Sequence, residues 1–185
     1  MHSILPFEEN QALRTVSKEI PFRDILTPKI TKLIQEMKAL LAKEEYGVAL
    51  AAVQVGEPIR LFIVSGRAIA RGKRNAPDET APTKKIIHKK AAASADMVYI
   101  NPVCIKLSHG RTDKHEGCLS IRGKWGEVPR AEKATIKYLD ERGKQQERGA
   151  SGFLAHIFQH EMDHLEGVLY VDKADKLYDE HEKKE

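Results

Sequence analysis

Two histidines one helical turn apart, His160 and His164, lie inside an apolar run, and this pairing constrains the chain more than any other feature. From about Ser151 to Glu166 the periodicity predicts a helix, in which Phe153, Leu154, Ile157, Phe158, Met162 and Leu165 supply a broad apolar surface. Ser151 is placed to cap its start and Gly167 to end it. Histidines at i and i+4 share a face, so both imidazoles reach one ion. Glu161, next to the first, can hold a water on that ion and take its proton. His156 shares the face, but it lies about 12 Å along the axis from His164 at roughly 1.5 Å per residue. A tetrahedral ion with bonds of about 2 Å does not span that distance. His156 therefore reads as a neighbour lining the site or as a polar surface residue.

A catalytic site of this type takes three protein ligands and leaves one position open. One source of the third is a downstream carboxylate, as in thermolysin-type proteases, but the acids after His164 lie in a polar, weakly patterned stretch. The other is Cys118, in Glu116-Gly117-Cys118-Leu119-Ser120. A thiolate is a strong ligand for Fe(II), Zn(II) or Co(II), and a tight, polar-flanked segment suits one. Cys104, in the strand-like Val103–Leu107, reads instead as a small buried hydrophobe. A further segment, Gly47-Val48-Ala49-Leu50-Ala51-Ala52-Val53-Gln54, is rich in small residues, which let a backbone approach a ligand or a packed helix. Gln54 at its end is a neutral amide donor. Read alone, the segment is equally a plain helix-to-strand connection.

The rest of the chain frames these segments. Its 185 residues suit one domain with a core that needs no staples. With 41% hydrophobic and 31% charged residues, the composition is that of a soluble globular protein. No apolar run approaches the roughly 18 residues of a membrane span. The first residues lack a signal-peptide pattern, and two Cys do not build a disulfide framework. These features exclude a secreted mini-protein, a membrane protein and a disulfide scaffold, and a cytoplasmic domain is expected.

Ile30, Leu33, Ile34, Met37, Leu40 and Leu41 form one apolar face of a helix over 27–46. Thr27 is its expected N-cap, Pro28 its first residue and Gly47 its stop. Ile59–Val64 reads as a buried strand. Val98–Leu107, Val128–Ala131 and Thr135–Leu139 read as further strands, with a turn at Glu141-Arg142-Gly143-Lys144. Residues 66–95 show no period and carry eight Lys or Arg against two acids, so the basicity of the chain, +4 overall, belongs there. They read as a basic insertion with a short hairpin at its stem. From about residue 171 the tail is charged and reads as a frayed or marginal helix.

Together and in this order, the three segments resemble the peptide deformylase family, whose motifs run G-φ-G-φ-A-A-x-Q, E-G-C-φ-S and Q-H-E-x-D-H, with φ apolar. Here they are Gly47–Gln54, Glu116–Ser120 and Gln159-His160-Glu161-Met162-Asp163-His164. The second and third are complete, and the first has Ala49 in place of its second Gly. The likeness runs from Asn10-Gln11-Ala12-Leu13-Arg14 to about Tyr170 and includes Val128-Pro129-Arg130-Ala131-Glu132-Lys133. It implies a single-domain α+β fold in which antiparallel strands wrap a central metal-binding helix.

The resemblance also implies an activity: metal-dependent hydrolysis of the formyl group from the N-terminal formylmethionine of newly made polypeptides. Cys118, His160 and His164 would hold one divalent ion, with Fe(II) favoured and Zn(II), Ni(II) or Co(II) also suited. Glu161 would move the proton, and the Gln54 amide with the Leu119 backbone N–H would meet the oxyanion. Val48, Phe153 and Ile157 would line the slot for the Met side chain, while Gly47 and Ala49 offer backbone hydrogen bonds. Asp163 would orient a ligand His or stand as an exposed helical acid. The implied partners are N-formylmethionyl nascent peptides, with transient ribosome contact through the basic insertion, and neither membrane nor DNA.

Some features depart from the family pattern. Trp125 stands where some relatives carry an Arg that helps hold the peptide. The 66–95 stretch is longer than in compact members. Residues 168–185 carry four Lys against six acids, unlike the basic C-terminal helix through which some relatives anchor to the ribosome. Two other readings compete: a zincin-type metalloprotease that uses a tail carboxylate and ignores Cys118, and a catalytically altered deformylase-like ribosome-binding protein. A purely structural metal site fits poorly with three ligands and an adjacent Glu.

Overall fold

The apolar run ending at Val64 has no polar face because it is covered on both sides. In the structure, a computed structural model that describes residues 2–74 and 95–179, it forms the strand β2 (Leu61–Val64). Its alternate side chains enter two separate cores. Leu61 and Ile63 join Leu50, Val98 and Ile100 beneath the helix α1 (Pro28–Lys43). Phe62 and Val64 join Ala49, Ala51 and Tyr99 beneath the late helix α3 (Gly152–Leu165). The period of two along a strand makes this division.

The larger sheet has the order β1-β2-β3-β6-β7 and is antiparallel at every pairing. Its other members are β1 (Ala49–Ala51), β3 (Met97–Leu107), β6 (Lys133–Leu139) and β7 (Gln145–Ser151). A second antiparallel sheet, in the order β4-β5-β8, is made of β4 (Arg111–Cys118), β5 (Ile121–Ala131) and β8 (Lys176–Asp179). Helix α3 packs against β1, β6 and β7 of the first sheet and against β5 of the second. The expected α+β architecture, antiparallel strands about a central helix, is therefore observed.

Helix α1 buries Ile30, Leu33, Ile34, Met37 and Leu41, and Leu40 is half-buried at the edge of that face. Each fully buried side chain contributes about 1.5–3 kcal/mol. The helix stops at Lys43, before the expected 46, because Glu44 is already extended. Gly47 closes the turn that follows: a Cβ there would stand 2.8 Å from Glu44 Cβ and 2.9 Å from Leu41 Cδ1. Thr27 holds the N-cap position without capping, since its hydroxyl donates to the Asp24 carbonyl at 2.6 Å. Ser151 likewise makes no capping bond. Helix α3 ends as expected at Gly167, whose φ of 71° is left-handed. Gly167 N–H bonds to His164 O and Val168 N–H to Asp163 O, a Schellman stop.

Four expectations change. Cys104 is exposed, not buried, because β3 continues past the end of β2 and, among the described residues, only β6 flanks residues 103–107. The basic stretch begins with a short helix, α2 (Gly66–Arg74), where a hairpin was expected; residues 75–94 of the expected insertion lie outside the described residues. The tail forms β8 against β5 as far as Asp179, where a helix was expected, and residues 180–185 lie outside the description. Strand β4 was not foreseen, and β7 was implied only by the turn placed between strands at Glu141–Lys144. Their sequences, Arg-Thr-Asp-Lys-His-Glu-Gly-Cys and Gln-Gln-Glu-Arg-Gly-Ala-Ser, are polar because most of their side chains face outward.

Candidate metal centre

Two histidines one turn apart on α3 and a cysteine more than forty residues earlier converge at one place. One ligand atom each from Cys118, His160 and His164 lies within 4.8 Å of the others. Cys118 ends β4, where Leu119 and Ser120 turn the chain into β5. Its Sγ is 3.4 Å from His164 Nε2. The two imidazole rings stand edge to face with centroids 4.8 Å apart. Among the described residues, this is the group with metal-ligand geometry, and no tail carboxylate belongs to it. Asp172, a tail acid, pairs instead with Arg14 and accepts the Leu169 N–H at 2.8 Å.

Glu116 organises the first histidine. It is 2% exposed, and its Oε2 lies 2.7 Å from His160 Nδ1. The carboxylate also receives both arms of Arg130, Nε on Oε1 at 2.6 Å and Nη2 on Oε2 at 3.0 Å. His156 Nε2 lies 2.9 Å from Oε1. Burial alone would raise the Glu116 pKa, but the bonds from His156, His160 and Arg130 hold it well below the usual carboxylate range. An ionised Glu116 requires Nδ1 of His160 to carry the proton, which leaves the Nε2 lone pair for an ion. Asp163 fits neither reading offered for it, since its side-chain partners are two cations. It neutralises Arg130 Nη1 and Lys173 Nζ, each at 2.6 Å.

The sequence reading gave Glu116, Arg130 and Gln159 no role, although all three lie within the quoted motifs. Gln159 docks α3 onto β5: its Oε1 accepts the Ala131 N–H and its Nε2 donates to Ala131 O, both at 2.9 Å. Tyr170 stacks beside His160 with ring centroids 6.2 Å apart. The ring of Trp125 lies over Gly117, where a Cβ would meet it at 3.2 Å.

Glu161 faces inward on the same helix, 3% exposed, and its Oε2 has no partner among the described residues. Burial pushes its pKa up to about 7, against the lowering pull of His160. A buried carboxyl oxygen without a donor beside one thiol and two imidazoles fits a centre that receives an ion and a water. A soft thiolate with two imidazoles suits a divalent transition metal.

Gln54 sits on a single 3₁₀ turn after β1. Its Oε1 accepts the Ala51 N–H at 2.9 Å, so its NH2 points the other way, 3.4 Å from both Cys118 Sγ and Ser120 Oγ. The N-terminal segment ties these pieces together: Leu5 N–H bonds to Gln54 O and Phe7 N–H to Ser120 O. Asn10 Nδ2 donates to Val53 O at 2.7 Å. Of the expected substrate residues, Ala49 and Ile157 belong to the core beneath α3, while Val48 and Phe153 pack half-buried at its margin. Gly47 is buried at the entry to β1, and Leu119 is half-buried at the β4–β5 turn. Among the described residues, strand β1 has a single strand neighbour, β2, and lies at the edge of its sheet.

Comparison with known proteins agrees with this arrangement. The family profile described as polypeptide deformylase matches residues 1–180. The peptide deformylase of Mesorhizobium japonicum is 36% identical over 165 residues, covering 89% of this chain and 80% of its own. The crystal structure of a probable peptide deformylase from Synechococcus phage S-SSM7 superposes with a TM-score of 0.74 at 27% identity, covering 94% of this chain and 99% of that one. The peptide deformylase of Thermotoga maritima gives 0.73 at 27% identity, covering 95% and 99%. No helix among the described residues is long and apolar enough to cross a membrane. The match over nearly the whole chain and the shared fold agree: this chain belongs to the polypeptide deformylase family, enzymes that remove the N-formyl group from newly made polypeptides.

Proposed function

We propose that Cys118, His160 and His164 hold one divalent ion and that Glu161, Gln54 and Leu119 carry out deformylation beside it. The observation that carries the reading is the convergence of the three ligand atoms within 4.8 Å, next to a buried carboxyl oxygen without a partner. When bound, the ion supplies a nucleophile at neutral pH by lowering the pKa of water from 15.7 to about 7. Glu161 accepts the proton of the attacking water and delivers it to the departing amine nitrogen of methionine. The Gln54 amide and the Leu119 backbone N–H donate to the oxygen of the formyl group as negative charge builds there. One such donor is worth about 3–4 kcal/mol of barrier.

Val48, Phe153 and Ile157 form the slot for the methionine side chain. Gly47 and Ala49 supply backbone groups, and the edge position of β1 supports this, since among the described residues one side of its backbone has no neighbouring strand. A formyl carbon carries only hydrogen beside its oxygen and nitrogen, so a narrow site accepts it and refuses an internal peptide bond. Fe(II) is the proposed native ion, with Zn(II), Ni(II) and Co(II) as substitutes. The single domain acts in the cytoplasm on nascent N-formylmethionyl peptides. It touches the ribosome transiently through the basic stretch and binds neither DNA nor membrane.

The test is release of formate from a formyl-Met tripeptide under anaerobic conditions by protein loaded with Fe(II), Ni(II) or Zn(II). Release is expected. Metal-loaded, folded protein that releases none would overturn the reading in favour of the catalytically altered, ribosome-binding alternative.

A further inference from the structure

The Glu116 carboxylate meets four side-chain nitrogens, two on each oxygen: three are hydrogen-bonded to it and the fourth, His156, makes an ion-pair contact. Oε1 meets Arg130 Nε at 2.6 Å and His156 Nε2 at 2.9 Å; Oε2 meets Arg130 Nη2 at 3.0 Å and His160 Nδ1 at 2.7 Å. We infer that His156 is a positioning residue for the metal centre, holding Glu116 so that Glu116 in turn holds His160. The inference rests on the reading of His160 as a ligand.

A carboxylate offers about four lone-pair directions, and these four nitrogens surround it. The four contacts come from two elements. Arg130 stands on β5 and is itself pinned by Asp163 at 2.6 Å. His156 and His160 stand one turn apart on α3. The carboxylate thus bridges strand and helix, and His156 fixes its Oε1 to the turn before His160. With His156 removed, Oε1 loses one of its two nitrogen partners in a buried place, where Glu116 is 2% exposed. The carboxylate is then free to swing about the Arg130 fork, and Oε2 no longer meets His160 Nδ1 along its N–H. A loosely held outer partner leaves the ligand ring free to rotate, and such losses weaken metal binding. The axial separation that removes His156 from the ligand set thus leaves it a different task, acting through an oxygen of Glu116.

The test titrates metal-free full-length protein with Co(II), following thiolate-to-cobalt charge-transfer absorption in competition with a chelator. His156→Leu and His156→Asn both remove the donor, since the Asn amide is too short to reach Oε1. Each is expected to weaken cobalt binding about tenfold, the lower end of the roughly 10–100-fold range for outer-shell partners. His156→Gln places an amide nitrogen near the position of the imidazole Nε2 and is expected to restore near wild-type affinity and spectrum. Thermal melts of the metal-free variants identify any that fails to fold, and the remaining ones decide. Wild-type affinity in the Leu or Asn variant overturns the inference. So does a Gln variant as weak as Leu, because the role would then be one of volume. Wild-type protein that binds no cobalt overturns the metal-centre reading and this inference with it.

Discussion

The Gln54 amide meets the Cys118 thiol across two separate pieces of the fold, with Nε2 3.4 Å from Sγ. Ala51 N–H, bonded to Oε1 at 2.9 Å, dictates which end of the amide faces the thiol. The donor is therefore aimed before any substrate arrives, which is the condition for stabilising charge that develops only in the transition state. Gln54→Ala is expected to lower kcat for a formyl-Met peptide about 10²–10³-fold with a small change in KM. A variant with wild-type kcat would remove Gln54 from the reaction.

Glu161 is expected to be needed for proton transfer and dispensable for metal. Glu161→Gln keeps the shape of a side chain that is 3% exposed and removes only its capacity to take a proton. Turnover should fall about 10²–10⁴-fold. Metal content, read by elemental analysis of the same preparation, should match that of wild type. Near-normal formate release from this variant would end the general-base assignment.

Cys118 carries the distinction between this centre and a zincin. Cys118→Ala should abolish tight metal binding, because His160 and His164 alone leave two ligands where three are needed. A chelator should lower the melting temperature of the metal-loaded wild type, since a ligand of the folded state stabilises it by mass action, and should leave the variant unmoved. Equal metal content in the two proteins would return the tail-carboxylate reading.

The sequence showed the chemistry more fully than the framework. His160, Glu161 and His164 were legible because a turn of helix puts i and i+4 together, whatever the rest of the chain does. Helix α1 and strand β2 were legible because their apolar periods are local. The hydrogen-bonded support of His160 was not: Glu116 meets it across 44 residues and Arg130 meets Glu116 across 14, and no periodicity records such distances. A buried acid and arginine inside otherwise patterned motifs were the available signal. Strand β7 was implied by the turn before it but had no legible bounds, because Gln145–Ser151 contributes backbone pairing to β6 and little apolar surface. Cys104 misled because apolar neighbours suggested burial, whereas the strand outruns its partner β2.

Glu116 should make stability depend on pH in a definite direction. Its folded pKa is depressed below the unfolded value of about 4.3. Its contribution is therefore fully present above that value and is lost as pH falls toward the folded pKa. Glu116→Gln removes the titration and breaks the buried pair with Arg130, at a cost approaching roughly 3–5 kcal/mol at neutral pH. Urea unfolding of the metal-free proteins at pH 7 and pH 4 should show a large gap between wild type and variant at pH 7 and a smaller one at pH 4. A gap independent of pH would contradict the depressed pKa.

Gly126 should be irreplaceable for reasons of space. It lies in β5 opposite Leu177 of β8, and an added Cβ would stand 2.9 Å from Ala174 Cβ and 3.1 Å from both Leu177 Cδ2 and Tyr170 Cδ2. None of these is the end of a long flexible chain, so either β8 lifts or Tyr170 moves. Overpacking of this kind costs about 1–3 kcal/mol. Gly126→Ala should therefore lower the urea midpoint and speed tryptic cleavage at Lys173, just before the lifted strand, and at Lys176, its first residue. Gly149→Ala is the matched control in β7, where a Cβ would meet Thr135 Oγ1 at 3.8 Å, and it should stay within about 0.5 kcal/mol of wild type. Equal cleavage rates in the two variants would show that β8 is not held by close packing at Gly126.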